Sequence, residues 1–335
     1  MSDEARRTAE TAISVKDALR TSLAENTRTA YRKGWNRFAA YCREVGRDPM
    51  AATPGDVAGF LVAMASEPRS HRAGSGRGKP LAIGTIRVLL AAINRTFGEA
   101  DRSSPARDLR VAAVMRGLSR MAAVKPRRVK ALREHEIASI LAYCDELGAC
   151  RRRLTIALRD AAVIAVGFAA ALRRSEICAL RFGDIEFLRR GLDSPGMFIH
   201  IRRSKTDQLG SGQRVAVPEG ERIRPVGRLR EWLRVAGISR GPLFRTMRRA
   251  GHVQEGPLHP TDVARIVKRC VEAIGLDPAE YSGHSLRAGF VTCAAAHHAR
   301  LDKIMEVTRH SSVRTLLRYI RQADAFDDHA GDAFL

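Results

Sequence analysis

The sequence of 335 residues lacks any long hydrophobic run. Its longest apolar stretch, residues 161–172, spans 12 positions between Asp160 and Arg173, which is too short to cross a bilayer and suits a buried helix. The amino terminus has no apolar stretch behind a basic start, so no signal peptide is expected. These absences predict a cytoplasmic protein that does not act in a membrane.

Cysteine is also scarce, with six residues and no C-x-x-C pair. Most of the six fall at apolar positions of helical patterns, where cysteine packs as a small hydrophobic side chain. A disulfide framework and a zinc site are therefore not expected, and we predict no cofactor. The cysteines are Cys42, Cys144, Cys150, Cys178, Cys270 and Cys293.

Acidic residues carry the minority charge. Fifty-eight Lys and Arg oppose 36 Asp and Glu, which leaves a net charge of +22. The excess is +13 over residues 1–130 and +9 over residues 131–335, so it is not confined to a tail. Repulsion among so many positive charges disfavours a compact chain, so the charge indicates a polyanionic partner. Nucleic acid is favoured over an anionic membrane surface, because the sequence shows no basic amphipathic helix with an aromatic apolar face.

The hydrophobic pattern divides the chain into two helical regions. Residues 1–22 lack sustained periodicity and are predicted to form a flexible leader, whereas residues 23–121 predict a small all-helical domain. Residues 122–130 contain a proline and four cations without an apolar stripe, which is typical of a linker that lies on a charged ligand. Residues 131–335 predict a mainly α-helical domain with a small inserted antiparallel β-sheet.

Several elements follow from the same pattern. Thr53 and the proline after it predict a capped helix start. A helix over about residues 105–121 would place Leu109 on its buried stripe, and a long apolar helix over about residues 151–172 would end at Arg173. The strand-like segments are residues 197–201 and 214–217.

Two apparent motifs do not hold. The glycine-rich residues 74–79 resemble a phosphate-binding loop, but Ala73 replaces its first glycine and Pro80 its magnesium-binding hydroxyl. This loop is better interpreted as a mobile basic segment. His297 and His298 suggest a metal site, but adjacent helical residues point about 100° apart.

A more coherent set of residues lies in the second region. Arg173 follows the long apolar helix, and Lys205 lies in a loop after a strand. His284 and Arg287 are three residues apart at a helix start, so they share one face. Further along, Tyr319 lies nine positions after His310.

These residue types can together cleave a phosphodiester without a metal. Two arginines can bind the phosphoryl oxygens and stabilise the charge of the transition state. A tyrosine can attack as the nucleophile, and a lysine can protonate the leaving oxygen. Histidines can orient groups or move protons. The sequence therefore supplies a candidate for each role.

The order and spacing of these residues resemble the tyrosine recombinases, or phage integrase family, most closely its Cre-like branch. The resemblance runs through residues 171–185, 199–206, 281–289 and 311–321, which bracket nearly the whole second domain. Residues 26–65 also resemble the core-binding domain of that branch. The resemblance implies the fold shared by tyrosine recombinases and type IB topoisomerases, with a DNA core-binding domain followed by a catalytic domain.

The same resemblance implies a reaction. Tyr319 attacks the scissile phosphate, which forms a 3′-phosphotyrosyl link and frees a 5′-hydroxyl. Arg173 and Arg287 hold the non-bridging oxygens, and Lys205 protonates the departing oxygen. The reverse reaction joins a partner strand, so neither ATP nor a metal is needed.

Three more residues complete the implied site. His284 assists proton transfer, His310 bonds the phosphate and Glu176 supports the site from behind. The chain departs from the family at two positions, where glycine is usual. Arg309 precedes the second histidine and is strained if that turn requires a positive φ. Ala171 is the milder change and is expected to matter little.

The implied partner is double-stranded DNA with an inverted-repeat target site. Two protomers bind each site, and two sites synapse as a homotetramer that exchanges strands through a Holliday junction. The protein is then expected to be nucleoid-associated and of bacterial, phage or plasmid type. The last residues, Phe334 and Leu335, are either an anchor on a neighbouring protomer or a frayed end. Candidate DNA contacts outside the chemistry are Arg28, Arg32, Arg87, Arg95, Arg202, Arg203 and Lys268.

Other functions remain open at this point. A DNA-binding regulator with an inactive recombinase fold would share the charge and the fold. A type IB topoisomerase or a telomere resolvase would share the chemistry. A metal-dependent nuclease is a third class, which cleavage in EDTA would exclude.

Overall fold

The computed structural model consists of two compact units, residues 1–127 and residues 128–335. No helix in the described parts of either unit combines the length and the apolar character that a bilayer crossing requires. The described residues are 23–66, 81–122, 129–190, 194–202, 212–248, 251–310, 312–314 and 316–317. The predicted leader, residues 1–22, and the glycine-rich loop lie outside them.

The described part of the first unit is helical. Its α-helices are α1 (Glu25–Glu44), α2 (Pro54–Ser66), α3 (Ile83–Glu99) and α4 (Leu109–Met121). The start of α2 is fixed by a reciprocal cap: the Thr53 hydroxyl accepts from the Asp56 N–H at 3.3 Å, and the Asp56 carboxylate accepts from the Thr53 N–H at 2.8 Å. The cap predicted at Thr53 is thus confirmed.

Close packing of α1 against α3 builds the core of this unit. Gly34 faces Ala92, and a Cβ added to Gly34 would lie 2.9 Å from the Ala92 Cβ, so glycine permits the approach. Phe38 and Phe60 are fully buried with ring centroids 5.2 Å apart. The aromatic side chains therefore supply much of the apolar surface that this small unit buries.

The predicted helix over residues 105–121 begins later than expected. A 3₁₀ turn, Pro105–Arg107, comes first, and the Asp108 carboxylate then accepts from the Arg110 N–H at 2.8 Å. This cap sets the helix register so that Leu109 is 84% exposed, while Val111 is fully buried. The prediction that Leu109 is buried was wrong.

The second unit is also mainly helical, which confirms the predicted fold class. Its helices surround α6, whose residues are buried along almost their whole length, and α6 packs against α5, α8 and α10. These helices are α5 (Glu134–Ala149), α6 (Leu154–Ala169), α7 (Arg174–Ala179), α8 (Pro225–Val235), α9 (Pro260–Ala273), α10 (His284–Ala296) and α11 (Leu301–Thr308).

A three-stranded antiparallel sheet is inserted between α7 and α8. Its strands are β1 (Ile185–Arg190), β2 (Ser194–Ile201) and β3 (Gln213–Pro218), in that order. Ile199 pairs with Ile185 on one side and Val215 on the other, and all three point towards the apolar core. The sequence predicted β2 and β3 only.

A second, two-stranded sheet was also missed. Its strands are β4 (Arg245–Met247) and β5 (Val253–Pro257), and they pair with an irregular register. The three residues of β4 are only half-buried, so they carry neither the alternation nor the length by which a strand is recognised in a sequence.

The chain enters the second unit directly over α10. The Lys130 N–H donates to the Glu280 carbonyl at 2.8 Å, and the Leu132 N–H donates to the Ser285 carbonyl at 3.1 Å. Leu132 is fully buried. A Cβ added to Gly289 would lie 1.9 Å from the Leu132 carbonyl oxygen. Glycine is therefore required in α10 for this segment to pack.

Candidate functional site

The end of α6 places the first predicted arginine. The Ala171 N–H bonds to the Phe168 carbonyl at 2.9 Å and the Leu172 N–H to the Gly167 carbonyl at 3.0 Å, and Ala171 has φ +48°. This Schellman motif ends the helix. Arg173 was predicted to close α6, but it occupies the cap position before α7 instead.

Glu176 fixes Arg173 at the start of α7. Its carboxylate accepts from the Arg173 backbone N–H at 2.8 Å and from the Arg173 guanidinium at 2.6 Å. The Glu176 side chain is 3% exposed and that of Arg173 is 20% exposed. A buried carboxylate thus holds a guanidinium that still reaches solvent.

Helix α10 brings His284 and Arg287 onto one face, as predicted. Arg287 is 2% exposed, and its guanidinium donates to the Ala171 carbonyl at 2.8 Å and to the Thr308 carbonyl. Both carbonyls belong to helix ends, where backbone oxygens lack intrahelical partners. Arg287 therefore joins the ends of α6 and α11.

The end of α11 places His310 against this guanidinium. The Thr308 hydroxyl donates its single proton to the Ile304 carbonyl at 2.6 Å, so it must accept from His310 Nδ1, which lies 2.8 Å away. His310 Nε2 lies 3.3 Å from an Arg287 nitrogen, which can only donate. These contacts assign a neutral ring with its proton on Nδ1.

Burial and the local charges explain why the His310 ring is neutral. Burial, followed by the charges of Arg287 and Arg173, lowers the pKa of His310 from 6.5 to about 4. Partial burial of the ring, followed by the charge of Arg287, lowers the pKa of His284. The residue as a whole is still exposed to solvent.

With both histidines neutral, the cluster has a net charge of +2. The guanidinium groups of Arg173, Arg287 and Arg309 carry three positive charges, and the Glu176 carboxylate carries one negative charge. Guanidinium groups stay protonated at any pH at which the protein is folded. The cluster therefore suits an anion with several oxygens, such as a phosphodiester.

We predict that His310 remains neutral down to about pH 5. A two-dimensional NMR titration of ¹⁵N-labelled histidine should give a midpoint near 4 for this ring and an Nδ1–H tautomer above it. Because the folded pKa lies below 6.5, His310 should lower the free energy of unfolding as the pH falls from 6.5 to 4. His310→Asn assigns the resonance, and a midpoint near 6.5 would contradict the buried cationic environment.

Two non-glycine residues in this cluster adopt left-handed backbone. Ala171 has φ +48° and Arg309 has φ +57°, each of which costs about 1–2 kcal/mol for a residue with a Cβ. We expected strain at Arg309 if its turn required a positive φ, and Arg309 has that positive φ. Ala171 adopts the same left-handed conformation, which glycine adopts freely. The expectation that alanine at position 171 matters little stays a prediction.

Sequence reasoning missed the part that Thr308 plays. It is fully buried, and its hydroxyl determines which nitrogen of His310 carries the proton. A threonine two residues before a histidine is too common to be recognised as an orienting residue. The orienting role of Thr308 becomes recognisable only in the structure, where Thr308 of α11 and Arg287 of α10 contact the same histidine ring.

Five predicted residues lie outside the described part of the structure. They are Lys205, Arg203, Tyr319, Phe334 and Leu335. The first two belong to the segment between β2 and β3, and Tyr319 follows the last described residues. Their roles stay predictions.

The candidate DNA contacts of the first unit fall into two pairs. Arg32 on α1 and Arg87 on α3 are exposed. Arg28 and Arg95 are half-buried, and each forms an ion pair with a glutamate on its own helix. Arg32 and Arg87 are therefore the better placed of the four to contact phosphate.

The candidates of the second unit also differ. Arg202 donates to the buried carboxylate of Asp184 at 2.6 Å, so it ties the end of β2 to the turn before β1. Lys268 on α9 is exposed. No group of three His, Cys, Asp or Glu side chains within the described ranges could hold a metal ion, and His297 contacts Glu134 at 3.0 Å.

Comparison with known proteins now decides the family. The profile of the phage integrase family matches residues 130–325, which contain every residue of the cluster. The chain belongs to the phage integrase family. It is accordingly a tyrosine recombinase, an enzyme of site-specific recombination.

Relatives of known name agree with this assignment. An integrase/recombinase xerD homolog of Selenomonas ruminantium is 32% identical over 323 residues, which cover 95% of this chain and 88% of the relative. A tyrosine recombinase of Thermosipho africanus is 23% identical over 306 residues and covers 90% of each chain. The finer assignment to a Cre-like branch stays a prediction.

Solved structures share the fold. XerH site-specific recombinase bound to palindromic difH substrate superposes with a TM-score of 0.62 at 18% identity, covering 90% of this chain and 76% of that chain. A lambda integrase dimer bound to a core site gives a TM-score of 0.57 at 16% identity, covering 89% and 72%. Because these identities are low, the likeness supports the fold of this phage integrase family member rather than its target.

Proposed function

We propose that this protein cleaves and rejoins duplex DNA at a specific site through a 3′-phosphotyrosyl intermediate. One observation carries the proposal: three separate segments of the chain bring Arg173, Arg287 and His310 into one cluster with a net charge of +2. Such preorganised charge stabilises the transition state of phosphoryl transfer. Membership of the phage integrase family supports the same chemistry.

The described side chains take specific parts in this reaction. The guanidinium groups of Arg173 and Arg287 bind the non-bridging oxygens, and Glu176 holds the first of them in place. Neutral His310 orients Arg287 through Nε2. A bound phosphodiester adds negative charge, which raises the pKa of His310 and favours a second proton that Nε2 can donate to a phosphate oxygen.

The remaining steps involve Tyr319, Lys205 and His284. The Tyr319 oxygen forms a bond to phosphorus while the bond to the 5′ oxygen breaks. His284 assists removal of the phenolic proton, and Lys205 supplies a proton to the leaving oxygen. The bond energy is kept in the phosphotyrosyl ester, so the reverse step needs neither ATP nor a metal.

The proposed partner is double-stranded DNA with an inverted-repeat site. The net charge of +22, spread over both units, suits two domains that both contact phosphates. XerH bound to a palindromic substrate and a lambda integrase dimer on its core site support a dimer on each site. Residues 23–121 would be the core-binding domain and residues 131–335 the catalytic domain, with two sites synapsed in a homotetramer that resolves a Holliday junction.

The test begins by finding a target. Tyr319→Phe protein should select specific duplexes from a random DNA pool, because it binds without cutting. Wild-type protein with a nicked version of the selected duplex should then give a denaturation-resistant protein–DNA adduct in EDTA. Mass spectrometry should place the nucleotide on Tyr319, and Tyr319→Phe should give no adduct while binding the DNA as tightly.

Other outcomes point to other functions. An adduct with Tyr319→Phe would move the nucleophile elsewhere. Binding without any adduct would favour a regulator with an inactive recombinase fold, and cleavage that EDTA abolishes would favour a metal-dependent nuclease. Relaxation of supercoiled DNA without junctions between paired sites would favour a topoisomerase or a telomere resolvase.

A further inference from the structure

Arg309 occupies an unusual position for a large charged residue. Its backbone has φ +57°, a conformation that glycine adopts without strain, and the residue is only 6% exposed. The burial lowers the pKa of its guanidinium, so the surroundings disfavour the charge. Both the backbone strain and the desolvation would be absent with glycine. Specific contacts must therefore offset them.

These contacts hold the groups that position the proposed phosphate ligands. The Arg309 guanidinium donates to Glu176 at 2.8 Å, and the same carboxylate holds Arg173. It also approaches the Ala171 carbonyl at 3.4 Å, the oxygen that accepts from Arg287 at 2.8 Å. Arg309 thus contacts one partner of each arginine.

Two further contacts fix Arg309 itself. Its guanidinium donates to the Val307 carbonyl at 2.9 Å and approaches the Ala170 carbonyl at 3.3 Å. These oxygens belong to the ends of α11 and α6, which Arg287 also joins. The two buried arginines therefore form a double connection between these helix ends, with His310 as the next residue in the chain.

We propose that Arg309 is a positioning residue for DNA cleavage, which holds Glu176 and the Ala171 carbonyl so that Arg173 and Arg287 keep the geometry that binds the scissile phosphate. The inference rests on the proposed function and extends it to a residue that does not touch the substrate. Loss of Arg309 should change the rate of cleavage rather than the DNA affinity. The contacts of Arg309 with Glu176 and the Ala171 carbonyl set the geometry of the groups that bind the phosphate.

The experiment compares Arg309→Gly and Arg309→Lys with wild type. Glycine relieves the backbone strain and lysine keeps the charge without the planar fork. Single-turnover adduct formation on the nicked duplex should slow about 30- to 100-fold in Arg309→Gly, with DNA affinity within about threefold of wild type. Arg309→Lys should be intermediate, and guanidinium chloride at non-denaturing concentration should partly restore Arg309→Gly.

A matched control uses another arginine of the same helix. Arg300 caps the start of α11 and pairs with Asp302 on the surface. Arg300→Ala should cleave at the wild-type rate. Thermal denaturation of every variant separates loss of positioning from loss of folding.

The titration midpoint of His310 is a second measurement, and it should stay unchanged if Arg309 only stabilises the fold. Removal of the Arg309 charge should raise the NMR titration midpoint of His310 above about 4, because this charge is one of those that lower its pKa. Arg287, Arg173 and His284 are further groups whose charges lower the pKa of His310.

The outcomes separate the two proposals. A wild-type protein that forms no adduct overturns both. A wild-type protein that forms the adduct, with Arg309→Gly within threefold of its rate, overturns only the positioning role. Slow cleavage that neither lysine nor guanidinium improves, with an unchanged His310 midpoint, also overturns it.

Discussion

Replacing Arg287 by alanine is expected to slow adduct formation at least about 10³-fold, since one preorganised donor to a reacting oxyanion already contributes about 10²–10³. The guanidinium is buried and joins the Ala171 and Thr308 carbonyls to His310. Its loss removes a charge from the proposed phosphate site and also the connection between the ends of α6 and α11. Single-turnover cleavage of the nicked duplex measures the effect.

Arg287→Lys distinguishes charge from geometry. A lysine keeps the positive charge but donates from one nitrogen, whereas Arg287 contacts the Ala171 and Thr308 carbonyls from two nitrogens of a planar fork, so we expect the variant to remain at least about 10²-fold slow. Arg265→Ala removes an exposed arginine that pairs with Asp262 on α9, and it should cleave normally. An Arg287→Ala protein that cleaves within tenfold of wild type would remove this residue from the site.

Gly289→Ala is expected to destabilise the second unit by about 3–5 kcal/mol. The added Cβ would lie 1.9 Å from the Leu132 carbonyl oxygen, and backbone on both sides cannot move aside cheaply. Release of the segment would expose Leu132, which contributes about 1.5–3 kcal/mol by burial, and would break two backbone hydrogen bonds of about 1 kcal/mol each.

Tryptophan fluorescence can report this unit alone. The chain has two tryptophans, Trp35 in the first unit and the fully buried Trp232 in the second. In a Trp35→Phe background, urea unfolding monitored at Trp232 should move to lower denaturant in Gly289→Ala. Gly117→Ala on α4 of the first unit, where an added Cβ meets nothing within 4 Å, is the control and should leave the Trp232 midpoint unchanged. An unchanged midpoint for Gly289→Ala would mean that residues 130–132 do not pack on α10.

The sequence predicts features that depend on local patterns. The shared face of His284 and Arg287 follows from helical periodicity, and the start of α2 follows from the Thr53 cap. Arg173 was placed wrongly because the apolar run continues to Leu172, three residues beyond Ala169, the last residue of α6. The left-handed backbone of Ala171 ends that helix, and no alanine signals such a conformation in advance.

The contacts between segments could not be predicted from the sequence. Arg309 was recognised as a departure from glycine, but its buried ion pair with Glu176 spans 133 residues of chain. The tautomer of His310 depends on Thr308 and Arg287, which come from two helices. Such networks arise from tertiary packing, and the periodicity of residues along the chain carries no information about contacts between distant segments.

The attachment of residues 130–132 to α10 has a mechanical consequence. This segment is the first described part of the second unit, and it is bonded to the same helix that carries His284 and Arg287. A force applied to the chain ahead of residue 129 would act on that helix through the hydrogen bond from the Leu132 N–H to the Ser285 carbonyl. Under the proposed function, tension along the preceding stretch of chain would therefore act on the helix that presents His284 and Arg287.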